Sequence, residues 1–172
     1  ELTNTATVSV TVTEVNEAPV IDSVVSTPGV GNSWTVTVTA TDPDDDPLTI
    51  GLAAADPDHV TITALGGGQF TVSVTDTTWA WSHPGTQISV TATVSDGSAQ
   101  PVSAATAIGT VSNAIAIGYN DFGQNDIPAL PAGLTYTQIA AGSYHSVLLR
   151  SDGSAVATGH NGGGQTAIPA LP

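Results

Sequence analysis

The chain has 172 residues, 15 acidic side chains and one cation, Arg150, for a formal net charge of -14. That balance excludes a nucleic-acid footprint, which needs clustered Lys and Arg, and argues against docking on an anionic membrane. Only 9% of residues are charged and 40% are apolar, enough to build a core, while the absence of cysteine removes disulfides, thiolate metal sites and cysteine nucleophiles together.

In chain order, "TATVSVTVTEV" (5–15) sets Val8, Val10 and Val12 against Ser and Thr, the period-2 pattern of a half-buried strand. The proline of "NEAP" marks a linker after it, so residues 1–15 read as the final strand of a preceding domain, or as an exchanged strand. A chain that opens on Glu1 inside a strand pattern reads as a piece of a longer or processed protein. Strands follow at "SWTVTVTAT" (33–41), "HVTITAL" (59–65), "QFTVSVT" (69–75) and "QISVTATVS" (87–95), with weaker ones at "PVIDSVV" (19–25), "LTIGLA" (48–53) and "VSAATAIGTV" (102–111). "TPGVGN", "DPDDDP", "GGG", "SHPG" and "SDGS" punctuate them as turns. No segment has a convincing 3.6-residue period, so almost no helix is expected. About seven short strands between 18 and 112 predict a β-sandwich over 16–112.

From about residue 113 the alternation gives way to a repeat. "GYNDFGQNDIPALP" (118–131) recurs as "GHNGGGQTAIPALP" (159–172), with "TYTQIAAG", "YHSVLLRSDG" and "SAVATG" between the copies. A period near 40 with about four short strands per unit is that of a propeller blade, so residues 113–172 read as one blade plus part of another.

"TDPDDDP" (41–47) gathers like charges with almost no cation to offset them. Calcium takes six to eight oxygens, mostly carboxylate and carbonyl, and Asp42, Asp44 and Asp46 stand at alternate positions in a loop stiffened by Pro43 and Pro47. An EF-hand is excluded: Pro47 replaces its Gly, Ala53 its final Glu, and no helices flank the loop. The alternative to a metal is a purely turn-forming role. That reading also suits Asp56 and Asp58 of "ADPDH", and Asp45 is expected to face solvent.

"VTEVNEAPV", then "VTATDPDDDPLTI", then "VTATVSDGS" resembles the cadherin-like, bacterial Ig-like repeats of surface proteins over about 5–112. The resemblance implies calcium held between two sandwiches, with Glu14, Asn16 and Glu17 as linker ligands, Asp42 and Asp44 as the Asp-x-Asp pair and Asp96 as the later Asp. Glu stands where the family's linker has Asp, and a second acidic linker is missing near "VSNAIAIG", so the calcium junction is expected at the N-terminal end alone. "YTQIAAGSYHSVLLRSDGSAVATGHNGGGQ" resembles the repeats of the regulator of chromosome condensation family over about 114–172, through Ala141-Gly142 with His145, Asp152-Gly153, and Gly159, Asn161, Gly164 and Gln165. Where that family often has Trp before Gly-x-Asn, this chain has Ile117 and Thr158. The glycines and Asp-Gly are read as turn formers and His145 as a group bonding backbone within the blade, with a site role as the alternative.

His59, His83, His145 and His160 lack metal-type spacing, and neither GxSxG nor a P-loop occurs, so no enzyme is expected. "WAWSHPG" places Trp79 and Trp81 on one face of a strand or loop, as core packing or as a sugar-stacking platform. The reading is an all-β chain, an Ig/cadherin-like sandwich followed by incomplete β-propeller repeats. It is expected to be an extracellular or cell-surface structural and adhesive segment stiffened by calcium. Neighbouring domains or subunits are its expected partners, with no nucleic acid and no membrane insertion. The alternatives are a filament subunit assembled by β-strand exchange, with self-association, and a carbohydrate-binding module for a cell-surface glycan.

Overall fold

The computed structural model describes residues 15–98 and 100–169. Residues 1–14 of the expected first strand, Glu14 among them, lie outside the described residues. The elements are β1 (Val20–Pro28), β2 (Ser33–Thr41), β3 (Thr49–Ala54), β4 (Val60–Gly66), β5 (Gln69–Val74), α1 (Thr77–Ser82), β6 (Gln87–Ser95), β7 (Val102–Thr110), β8 (Tyr136–Ala141), β9 (His145–Arg150) and β10 (Ala155–Gly159).

The seven strands predicted between 18 and 112 are β1 to β7. They form two antiparallel sheets, ordered β1-β2-β5-β4 and β3-β6-β7. Alternation puts Trp34, Val36 and Val38 of β2 and Ile88, Val90, Ala92 and Val94 of β6 inward, with Thr and Ser between them outward. Val72 and Phe70 of β5 and Ile108 of β7 complete the core. Full burial of each such aliphatic or aromatic side chain stabilises the fold by about 1.5–3 kcal/mol.

Two features depart from expectation. "TTWAWS" is a one-and-a-half-turn helix, α1, because Asp76 caps it: its Oδ1 accepts the Trp79 N–H at 2.9 Å. Residues two apart on a helix point about 200° away from each other, so Trp79 and Trp81 do not share a face as a strand would have them do. The second departure is the repeat's sheet, which among the described residues has three strands, ordered β10-β9-β8, rather than about four.

Both copies of the repeated loop fold alike. The first has Asn125 N–H on Asn120 Oδ1, Phe122 N–H on Gln124 Oε1, Gly123 N–H on Asn120 O and Asp126 N–H on Gly123 O. The second repeats each bond between Thr166, Asn161, Gly163, Gln165, Gly164 and Ala167. The first loop is also seated on its own sheet, with Ser146 Oγ donating to Gln124 O at 2.9 Å and Thr158 Oγ1 to Gly123 O at 2.7 Å.

The "IPALP" run after that loop closes one end of the sandwich. Gly31 donates to Ile127 O and Ala129 to Gly29 O, each at 2.7 Å; Thr110 N–H and Trp34 Nε1–H both reach Leu130 O, at 3.2 and 2.8 Å. Tyr136 holds the same run from the repeat side by donating its hydroxyl to Pro128 O at 2.7 Å.

Candidate functional site

The acidic loop leaves β2 at Thr41 and enters β3 at Thr49. Asp45 takes a left-handed conformation, φ 59°, which short polar side chains tolerate, and it is exposed as expected. The turn is closed by Asp45 N–H on Asp42 O at 3.2 Å, and Asp42 Oδ1 accepts the N–H groups of Asp44 at 2.9 Å and Asp46 at 3.3 Å. Backbone amides, not cations, are thus the first compensation for the crowded aspartates.

The linker then lies against this loop. Glu17 N–H donates to Asp44 Oδ2 at 2.7 Å. Asn16 Nδ2 donates to Asp96 Oδ2 at 2.8 Å and to Glu17 O at 3.0 Å, and Asp96, just past β6, accepts Ser98 N–H on Oδ1 at 2.7 Å. Asn16, Glu17, Asp44 and Asp96 are therefore joined directly, and Asp42 through Asp44. The linker touches the loop that joins the two sheets and the β6–β7 hairpin loop of the second sheet. Glu17 enters through its main chain. Among the described residues no three His, Cys, Asp or Glu side chains stand grouped to hold a metal ion; Glu14 lies outside them. Asp42 Oδ2, however, is shut off from solvent with no hydrogen-bond partner among the described residues, a costly state for a carboxylate oxygen.

The tryptophans part company. Trp79 stacks against both His59 (centroids 4.6 Å apart, planes at 16°) and His83 (4.9 Å, 15°). Asp56 fixes His59 through its Nδ1 at 3.0 Å. Trp81 is 67% exposed and lines, with Ala80, Ala114 and Ile115, a cleft of about 240 Å³ beside the chain leaving the sandwich. The histidines flanking Trp79 were not legible in advance, since their contact is made only when α1 folds.

In the repeat, Gly142 donates its N–H to His145 O at 2.7 Å, and a Cβ at Gly142 would overlap the His145 ring. The imidazole packs on bare backbone. Phe122, Tyr144 and His160 meet edge to face at one end of the sheet. Nearby, Tyr119 donates its hydroxyl to Asp121 at 2.6 Å, and that bond raises the Tyr119 pKa above its ordinary value.

Residues 16–112 match the sequence family described as a bacterial Ig domain, and residues 136–165 match the regulator of chromosome condensation (RCC1) repeat. The first covers more than half of the 172 residues. No curated protein and no solved structure matches the chain. Among the described residues no helix is long and apolar enough to cross a membrane.

Proposed function

The chain belongs to the bacterial Ig domain family, and from that premise we propose that it is a non-catalytic, extracellular spacer whose N-terminal junction is stiffened by calcium, followed by an RCC1-type interaction module. The coarser part rests on the two family matches in series, which make the chain a structural or interaction segment. The finer part rests on one observation: Asp42 Oδ2 is buried and unpaired beside a linker already fastened to Asp44 and Asp96.

By residue type the donor set suits a hard divalent cation, though its described carboxylates do not stand grouped around one point. It consists of carboxylate and amide oxygens without sulfur or imidazole, the preference of calcium rather than zinc or copper. Asp42, Asp44 and Asp96 supply the negative charge and Asn16 and Glu17 the linker side of the junction, with Glu14 placed by sequence to join them. A bound calcium supplies positive charge that couples the linker to both loops. The residues themselves hold the linker by hydrogen bonds and present the anionic oxygens.

Extracellular calcium modules bind at roughly 10⁻⁴–10⁻³ M. At a hundredfold excess over Kd the added stability is about 2.7 kcal/mol, a rise in Tm of roughly 5–10 °C for a chain of this size. Differential scanning calorimetry in calcium against EDTA is expected to read that rise, with slowed proteolysis near residues 15–19. Asp42→Asn keeps the acceptor for Asp44 and Asp46 and is expected to fold while losing the calcium response. Equal Tm and equal proteolysis in the two buffers would remove the calcium reading.

A further inference from the structure

Ala114–Gly118 stands 41 residues before Ala155–Gly159, which is β10, and the two run Ala-Ile-Ala-Ile-Gly and Ala-Val-Ala-Thr-Gly. Each ends on a glycine of positive φ, 129° at Gly118 and 107° at Gly159, and each enters the same loop. Their pairing differs. All five residues of β10 are in register with β9. The earlier segment keeps a strand's alternation, with Ala114 and Ala116 packed on the cluster of Leu130, Tyr136 and Leu148, and Ile115 and Ile117 exposed by 57% and 86%. Yet it belongs to no sheet, and among the described residues no hydrogen bond reaches the main chain of Ile115, Ala116 or Ile117. An extended segment held by one face, with its main-chain groups unpaired, is an open strand edge.

Building on the interaction-module reading above, we propose that Ala114–Gly118 is the third strand of a second blade, and that an incoming β-hairpin of the β8–β9 pattern supplies the other two. The register of β10 on β9 fixes the fit: as Val156 opposes Leu148 and Thr158 opposes Ser146, Ile115 opposes a leucine and Ile117 a serine of the incoming strand. The hairpin also has a floor. Ile139, 53% exposed, and Ala141 lie on the Leu148 face of the sheet, in register with Leu148 and Ser146. They line, with Ile115, Ala116 and Ile117, a cleft of about 340 Å³. This surface continues an interface already formed, because the same strand runs into the loop that Ser146 and Thr158 hold on β9 and β10. A second whole copy of the chain does not supply the hairpin without opening its own sheet, since its β9 is paired on both edges. The occupant is therefore a repeat hairpin that lacks its own third strand.

The test is amide hydrogen exchange by NMR on the full 172-residue chain with a synthetic peptide of residues 132–153 at millimolar concentration. At least tenfold slower exchange within residues 115–117 is expected, absent with a peptide of scrambled order. Ile117→Pro, at an exposed and unbonded position, is expected to keep the parent Tm and lose the protection at residues 115 and 116. Unprotected amides at 115–117 overturn the proposal, as does protection on the free edge of β8 or β10 instead. Protection that grows with chain concentration without peptide also overturns it, in favour of a second copy as occupant. Running the experiment in EDTA separates it from the calcium junction, whose response is read near residues 15–19.

Discussion

A hydrogen atom in place of a methyl group at residue 109 lets Trp34 lie across the sandwich core. A Cβ on Gly109, in β7, would fall inside the Trp34 indole, which is fully buried and tethered through Nε1 to Leu130 O. Gly109→Ala is expected to cost about 1–3 kcal/mol, the range of overpacked cores, read as a lower urea midpoint; an unchanged midpoint would mean that Trp34 has room to move. At the surface, Ser154 donates its hydroxyl and its N–H to Asp152 Oδ1, at 2.7 and 2.9 Å, and these bonds lower the Asp152 pKa below its ordinary 3.8. The sign follows from linkage: a depressed folded pKa gives stability that is present above the ordinary value and lost as pH falls through the folded one. Ser154→Ala is expected to move the Asp152 pKa upward in a carboxyl NMR titration and to flatten the acid limb of stability. No change would mean that the Ser154 amide alone holds the carboxylate.

At the scale of elements, strands were legible wherever one face is buried and the other wet, because that geometry writes itself as alternation. β2 and β6 carry four-residue or longer Val, Ile and Trp alternations and form where expected. Helix α1 was not legible: six residues cannot establish a 3.6-residue period, and its cap, Asp76, is one of many aspartates in turn-like surroundings. That miss misplaced the tryptophans. The junction was readable only as an ordering of three weak motifs. Nothing local to "NEAP" tells that Asn16 reaches Asp96, 80 residues away. Nor does "TDPDDDP" tell that amides satisfy one oxygen of Asp42 and leave the other buried alone. The repeat was plain as a period, but its strand count was not, since Ala114–Gly118 has a strand's sequence and, among the described residues, lacks a strand's partner.

At the scale of the molecule, sandwich and repeat are not beads on a string. The chain leaves β7 at Thr110 and comes back to it: Thr110 Oγ1 donates to Pro131 O at 3.2 Å and accepts Gly133 N–H at 2.8 Å, while its own N–H reaches Leu130 O. Thr110 is 2% exposed, and removing its hydroxyl breaks two partly buried bonds, to Pro131 O and from Gly133 N–H. Each such bond contributes about 0.5–1.5 kcal/mol net. Thr110→Val keeps the shape and is expected to destabilise the whole chain by about 2 kcal/mol, or roughly thirtyfold in the opening equilibrium. Because "IPALP" bonds to β1, β2 and β7 surroundings on one side and to Tyr136 on the other, the loss is expected to be shared. Amide exchange in β9 of the repeat and in β6 of the sandwich should accelerate by the same factor under conditions where exchange reports global opening. Acceleration confined to β8–β10, with β6 unchanged, would show two units that unfold independently, and the clamp at Leu130 would then be a contact between them rather than a shared core.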